Sequence, residues 1–132
     1  MILDTGGWLT ALNGDEPHAQ ALEEASTLIV PGLVLAEVDY FLRRRRREMY
    51  RLLSEISDGI YSYEAPTAAD LVRARELDRK FAKTDLGLVD ASVAALAERL
   101  NILRVLTINS DFNVVRVGKH YRAALEVVGG PL

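Results

Sequence analysis

The segment Thr84–Leu100, reading TDLGLVDASVAALAERL, limits the possible folds more than any other. From Asp90 onward its spacing predicts a helix. Asp90, Val93, Ala94, Ala97 and Asn101 share one face at i, i+3, i+4, i+7 and i+11. That face is small and apolar, so the helix is expected to lie buried against a sheet. Its first member is a carboxylate at the helix N-terminus. Unpaired N–H groups and the helix dipole partly compensate a charge there, so one reading of Asp90 is an N-cap. The other is a site acid, and the rest of the chain has to supply its company.

A chain of 132 residues is expected to form one domain, residues 1–132, with a core that needs no covalent staples. It has no cysteine, which excludes disulfides, thiol nucleophiles and thiolate metal sites. Met1 runs straight into Ile2-Leu3-Asp4 with no basic or apolar leader, and no apolar run is long enough for a membrane span. A soluble, cytoplasmic protein is expected. The net charge of −3 argues against nucleic-acid binding over the whole surface, so any polyanion site must be local.

Acids recur at element ends along the chain. Met1–Leu12 reads as a very short buried strand ended by Asp4-Thr5, then a turn broken by Gly6-Gly7. Asp4 is either the cap of a following helix or a fixed site acid. Asp15-Glu16-Pro17 marks a helix start, with His18 expected to be exposed and without partner spacing for a metal. Thr27–Val30 is a continuous apolar run of the kind buried on both faces of a sheet. After Pro31-Gly32 a helix is expected with Val34, Glu37, Val38 and Phe41 on one face. Glu37 thus falls within an apolar stripe, where an ionised carboxylate needs a buried Arg or a cation.

Arg43, Arg44, Arg45, Arg46 and Arg47 follow in an unbroken run. On a helix they would cover every side, which suits a solvated helix end near the negative dipole pole or a phosphate-binding surface. Met49, Leu52, Leu53 and Ile56 restore a helical stripe, so residues 43–57 read as the second helix of a hairpin, packed on the sheet or at an interface. Residues 60–63 alternate as a strand. Thr67–Asp70 has capping-box form, with Leu71, Ala74, Leu77 and Phe81 down one side of the helix that follows. Residues 104–108 and 125–128 are the last strands expected.

This alternation implies a parallel sheet with helices on both faces, in which ligands collect beyond the carboxyl ends of the strands. Asp4, Glu37, Asp90, Asn109 and Asp111 can all meet at that edge. Clustered carboxylates need a counter-charge. Without Cys or paired His the matching cation is hard and oxygen-seeking, Mg²⁺ or Mn²⁺.

Four motifs taken together resemble the PIN domain family, and within it the VapC toxins of bacterial toxin–antitoxin pairs. They are Ile-Leu-Asp4-Thr5, Ala36-Glu37-Val-Asp39-Tyr40, Leu86-Gly87-Leu-Val-Asp90-Ala91 and Leu106-Thr107-x-Asn109-x-Asp111-Phe112. The resemblance spans essentially the whole chain. It implies a three-layer α/β fold with a short, mostly parallel sheet of about five strands. It also implies a metal-dependent ribonuclease, restrained by a VapB-type antitoxin and forming a homodimer, with Asp4, Glu37 and Asp90 as metal-site acids.

The hydroxyls of Thr5 and Thr107 are then candidates to hold carboxylates or waters. Arg43–Arg47 and Lys80 or Lys83 are candidates to attract RNA. Two residues depart from the family pattern. Asn109 stands where an Asp is common, which lowers the site's charge and leaves Asp111 to compensate. Gly6 stands where Ser or Asn is common, which is expected to loosen the pocket. Asn109 also motivates an alternative, a PIN-like RNA-binding or interaction module with weakened catalysis. A receiver-type phospho-acceptor domain shares acids at strand ends, but the adjacent acids near its first strand and the Lys after its last strand are not evident here.

Overall fold

The computed structural model describes residues 1–132. In chain order, the first half comprises β1 (Ile2–Leu3), α1 (Thr5–Leu12), α2 (His18–Glu24), β2 (Ile29–Pro31), α3 (Gly32–Phe41) and α4 (Arg46–Ser57). The second half comprises β3 (Ser62–Glu64), α5 (Ala68–Lys80), α6 (Gly87–Leu100), β4 (Arg104–Thr107), β5 (Arg116–Val117), β6 (Ala123–Ala124) and β7 (Glu126–Gly129). Five strands form one sheet in the order β3-β2-β1-β4-β7, and every pairing is parallel. Strands β5 and β6 form a separate antiparallel pair.

The order fixes where the helices lie. The chain steps outward from β1 to β2 to β3, then returns across the sheet to β4 and moves on to β7. With connections running in both directions, right-handed crossovers cover both faces of the sheet with helices. Direction reverses between β1 and β4, which are direct neighbours with Ile2 beside Val105 and Leu3 beside Leu106. A crevice opens at such a reversal, beyond the carboxyl ends of the strands. The central strands are apolar throughout because both faces are covered: Ile2, Leu3, Val30, Val105 and Leu106 have no exposed surface. No helix is long and apolar enough to cross a membrane.

Helix α6 is more deeply buried than a one-sided stripe implies, since every residue from Ala91 to Ala97 is buried. It packs on α5 and α3 and lies against β2 and β5. Small side chains on all sides permit that close approach. The stripe ends sooner than expected, because Asn101 is exposed and forms the C-cap with φ 53°. The helix also begins earlier, at Gly87. Asp90 therefore lies in its first turn and is not the N-cap.

The Gly6-Gly7 turn is in fact the start of α1. The two glycines do not break the chain; they let α1 settle onto the sheet. A Cβ on Gly7 would lie 2.5 Å from the Thr107 backbone nitrogen. Strand β1 is so short that α1 starts at Thr5. Asp4 occupies the N-cap position, yet its side chain makes no cap hydrogen bond.

His18, expected on the surface, is 1% exposed, because α2 packs its first residue against β7. Only Arg46 and Arg47 of the arginine run are helical; Arg43 and Arg44 fall in the turn after α3, and Arg45 is the N-cap of α4. In α4, Met49 and Leu52 are buried while Leu53 is exposed. The capping box of α5 forms as expected, with Thr67 Oγ1 accepting from Asp70 N and Asp70 Oδ2 accepting from Thr67 N, both at 3.0 Å. Leu71 is exposed, but Ala74 and Leu77 of the same face are buried. Arg73 forks onto Glu98 of α6 at 2.9–3.3 Å, and Glu98 Oε2 accepts the Gly118 N–H at 2.6 Å. This network ties α5, α6 and the small β5–β6 unit together.

Candidate active site

Asp4, Glu37 and Asp90 line one open cavity of about 420 Å³, together with Thr5, Thr10 and Ile108 among others. Three separate segments deliver the acids. Asp4 follows β1 at the crevice between β1 and β4. Glu37 is half-buried in the middle of α3, between the fully buried Val34 and Val38. Asp90 comes from the first turn of α6.

Each acid is held by a neutral donor. Thr107 Oγ1 donates to Asp4 Oδ2 at 2.7 Å, and Thr5 Oγ1 donates to Glu37 Oε1 at 2.5 Å. Asn109 Nδ2 donates to Asp90 Oδ2 at 3.0 Å. No arginine neutralises any of the three. The negative charge of the cavity therefore remains available to a cation.

Its electrostatics reflect that crowding. Burial, then the nearby charges of Asp4, Glu37 and Asp111, push the Asp90 carboxyl up to about 7, against the Asn109 amide, which draws it down. Asp4 is also raised, chiefly by burial and slightly by Glu37, with the Thr107 hydroxyl and the Thr5 backbone N–H opposing. Both shifts report carboxylates taken out of water, and that of Asp90 also reports crowding by like charge.

As the side chains stand, no group of three acidic or histidine side chains is placed to hold an ion. The donor set nevertheless fits Mg²⁺ or Mn²⁺. Magnesium usually keeps several waters and takes one or two carboxylates plus substrate phosphates, so an open, all-oxygen acidic cavity matches its chemistry.

Asn109 has a definite task. Its Oδ1 accepts the Asp111 N–H at 2.9 Å, while its Nδ2 holds Asp90, so both ends of the amide are engaged. A carboxylate at this position would lack the donor and would face Asp90 as a like charge. Asp111 contributes charge by its proximity to Asp90. Gly6 does not loosen the pocket, because a Cβ there would lie 2.6 Å from Ile108 Cγ1. The Ile108 side chain fills the space that a larger residue would take.

The arginine run lies on the exposed surface beyond the cavity. Arg43 stacks over Tyr40, 4.3 Å from the ring centroid. Arg45 pairs with Glu48, and Arg46 with Asp39 at 2.7 Å. Arg44 and Arg47 make no ion pair. Leu9 and Phe41 line both the acidic cavity and an adjoining groove that includes Leu12, Leu42, Arg45 and Glu48. Lys80 and Lys83 do not line the cavity; Lys80 sits over the Tyr121 ring at 5.1 Å. Thr10 was not legible from the sequence, because its place on the cavity wall depends on α1, which the glycine pair concealed.

Comparison with known proteins bears on the family and the fold. A family model described as PIN domain matches residues 1–118. Ribonuclease VapC26 of Mycobacterium tuberculosis is 28% identical over 137 residues, covering 98% of this chain and 96% of its own. The crystal structure of VapC20 from the same organism, described as a sarcin-ricin loop cleaving toxin, superposes with a TM-score of 0.72 at 22% identity. That superposition covers 86% of this chain and 92% of VapC20.

Proposed function

We propose, because this chain belongs to the PIN domain family, that it is the toxin of a toxin–antitoxin pair: a divalent-metal-dependent endoribonuclease neutralised by a VapB-type antitoxin. The near end-to-end match to a protein named ribonuclease VapC26 supports the activity. The observation that carries the reading is local. Three carboxylates from three segments share one open cavity, each held by a neutral donor and none paired with an arginine. Residues 1–132 are read as one nuclease domain.

Asp4, Glu37 and Asp90 are the residues that would hold Mg²⁺ or Mn²⁺. A bound divalent ion supplies Lewis-acid stabilisation of phosphoryl charge and lowers the pKa of water. The chain's own residues supply the positioning. Thr107, Thr5 and Asn109 each hold one of the three carboxylates by a hydrogen bond to a single oxygen, which restricts its rotamers at the cavity wall. The raised pKa of Asp90 belongs to the metal-free site, and a bound cation would hold the carboxylate ionised. The engaged amide of Asn109 favours an intact site over the reading as a binding module with weakened catalysis.

RNA approaching an acidic cavity needs cations nearby, and Arg45 of the Arg43–Arg47 run lines the groove that continues from it. The exposed Tyr50 and Leu53 of α4 and the nearby Ile60 supply apolar surface for a second copy or for the antitoxin. The test is cleavage of a structured RNA by the purified, antitoxin-free protein with Mg²⁺, with and without EDTA. Asp4→Asn and Asp90→Asn are expected to lower the rate by on the order of 100-fold or more. Cleavage that persists in EDTA or in both variants would refute the assignment.

A further inference from the structure

Buried histidines normally satisfy both ring nitrogens, and His18 does not. Its Nε2 lies 2.9 Å from the Gly130 carbonyl oxygen, while Nδ1 is buried with no partner. Because a carbonyl can only accept, Nε2 carries the proton and Nδ1 is the bare nitrogen. The ring is thus held by a single bond, directed at the C-terminal segment just beyond β7.

In that segment Gly129 and Gly130 both have positive φ, 83° and 81°. The glycine at 129 is required by the histidine, since a Cβ there would lie 2.5 Å from His18 Nε2. On its other side, the Gly130 N–H donates to the Thr107 carbonyl at 3.0 Å, and Gly129 is paired in register with Thr107. Thr107 is the residue whose hydroxyl donates to Asp4 and accepts the Asn109 N–H at 3.0 Å. An unbroken path of contacts therefore runs from His18 through Gly130 and Thr107 to Asp4.

We infer that His18 is a positioning residue of the nuclease site: it latches the Gly129-Gly130 turn behind Thr107, and so sets the hydroxyl that orients Asp4. The role rests on the ribonuclease reading for its effect on turnover, but not for the contacts. Outer residues that orient metal-site acids typically matter by 10–100-fold.

The experiment compares His18→Asn, whose shorter amide cannot reach Gly130, with His18→Gln, whose amide nitrogen stands near the place of Nε2. His18→Asn is expected to lower kcat on RNA about tenfold with KM changed by less than about twofold. It should also speed hydrogen exchange of the Asn109 amide in the metal-free protein. His18→Gln should restore both. Combining His18→Asn with Thr107→Val should lower kcat no further than Thr107→Val alone. The inference is overturned if His18→Asn lowers only the melting temperature, leaving the Asn109 amide and kcat unchanged, or if the two substitutions act additively. If His18→Asn does not fold, His18→Phe serves in its place, keeping a buried ring while removing the donor to the Gly130 carbonyl. If the wild-type protein cleaves no RNA, the ribonuclease reading fails, and the Asn109 amide still decides the latch.

Discussion

Replacing Asp90 by Asn should stabilise the metal-free protein above neutral pH and leave it unchanged in acid. In the folded chain the carboxyl is pushed up to about 7, against 3.8 for the free group, because burial and the neighbouring Asp4 and Glu37 oppose its charge. An acid whose native pKa is raised imposes no penalty while it stays protonated in both states. The penalty grows as pH rises through the unfolded value, near 4, and is complete above about 7. The full difference corresponds to ~4 kcal/mol as an upper bound, and solvent reaching a partly exposed side chain reduces it to ~2 kcal/mol. Asn removes the ionisation and still accepts the Asn109 amide hydrogen bond. At about 4 °C per kcal/mol for a domain of this size, the variant should melt ~8 °C higher at pH 8 and within ~1 °C at pH 4. The assay is a series of thermal melts in EDTA from pH 4 to 9. A difference in melting temperature that does not vary with pH would refute the account of Asp90 as a carboxyl strained by its neighbours. Mg²⁺ should reverse the order at pH 8, raising the wild-type melting temperature while leaving Asp90→Asn unmoved.

Asn109→Asp places an anion where an amide donates to Asp90, so Mg²⁺ affinity measured by calorimetry should rise while metal-free stability at pH 8 falls by ~1 kcal/mol. Unchanged affinity would mean that position 109 does not face the ion. Glu98→Gln weakens the forked ion pair with Arg73 and the acceptor of the Gly118 N–H, and should cost about 1–3 kcal/mol in urea unfolding with no effect on Mg²⁺ binding. A peptide matching the antitoxin C-terminus should inhibit RNA cleavage, with partial relief as Mg²⁺ increases. Inhibition indifferent to Mg²⁺ would place the peptide on the Leu12–Leu42–Arg45 groove and not at the carboxylates.

Much of the fold was legible because its strands and helices are set by patterns of short range. The apolar runs around residues 2–3, 29–30 and 105–106 required a covered parallel sheet, and the small-residue face of α6 required close packing. What escaped was decided by long-range contact. Gly6-Gly7 reads locally as a break, yet it is a helix start whose missing side chains admit β4 and Ile108. His18 follows acids and a proline, as an exposed helix start would, but its burial depends on a strand more than a hundred residues away. The β5–β6 pair is only two residues per strand, too short for alternation to register. The acids were legible as types in costly places. Which neutral donor holds each one was legible only in part, since Thr5 and Thr107 were candidates without assigned partners and Asn109 was read as a weakness.

The use of amides and hydroxyls at the site has a physical reason. An arginine would hold Asp4, Glu37 or Asp90 more strongly than Thr or Asn does, but it would also cancel the charge that attracts a cation. The chain is not short of arginines: Arg73 and Arg99 hold Glu98 and Asp70, where ion pairs serve to bind α5 to α6. At the cavity the same task falls to neutral donors, which fix geometry and leave the field intact. Burial raises the pKa values of Asp4 and Asp90, and the Thr107 and Asn109 donors only partly oppose it. A structural acid cluster should be compensated by its own chain, and the lack of any ion pair to Asp4, Glu37 or Asp90 is what supports the proposed cation site.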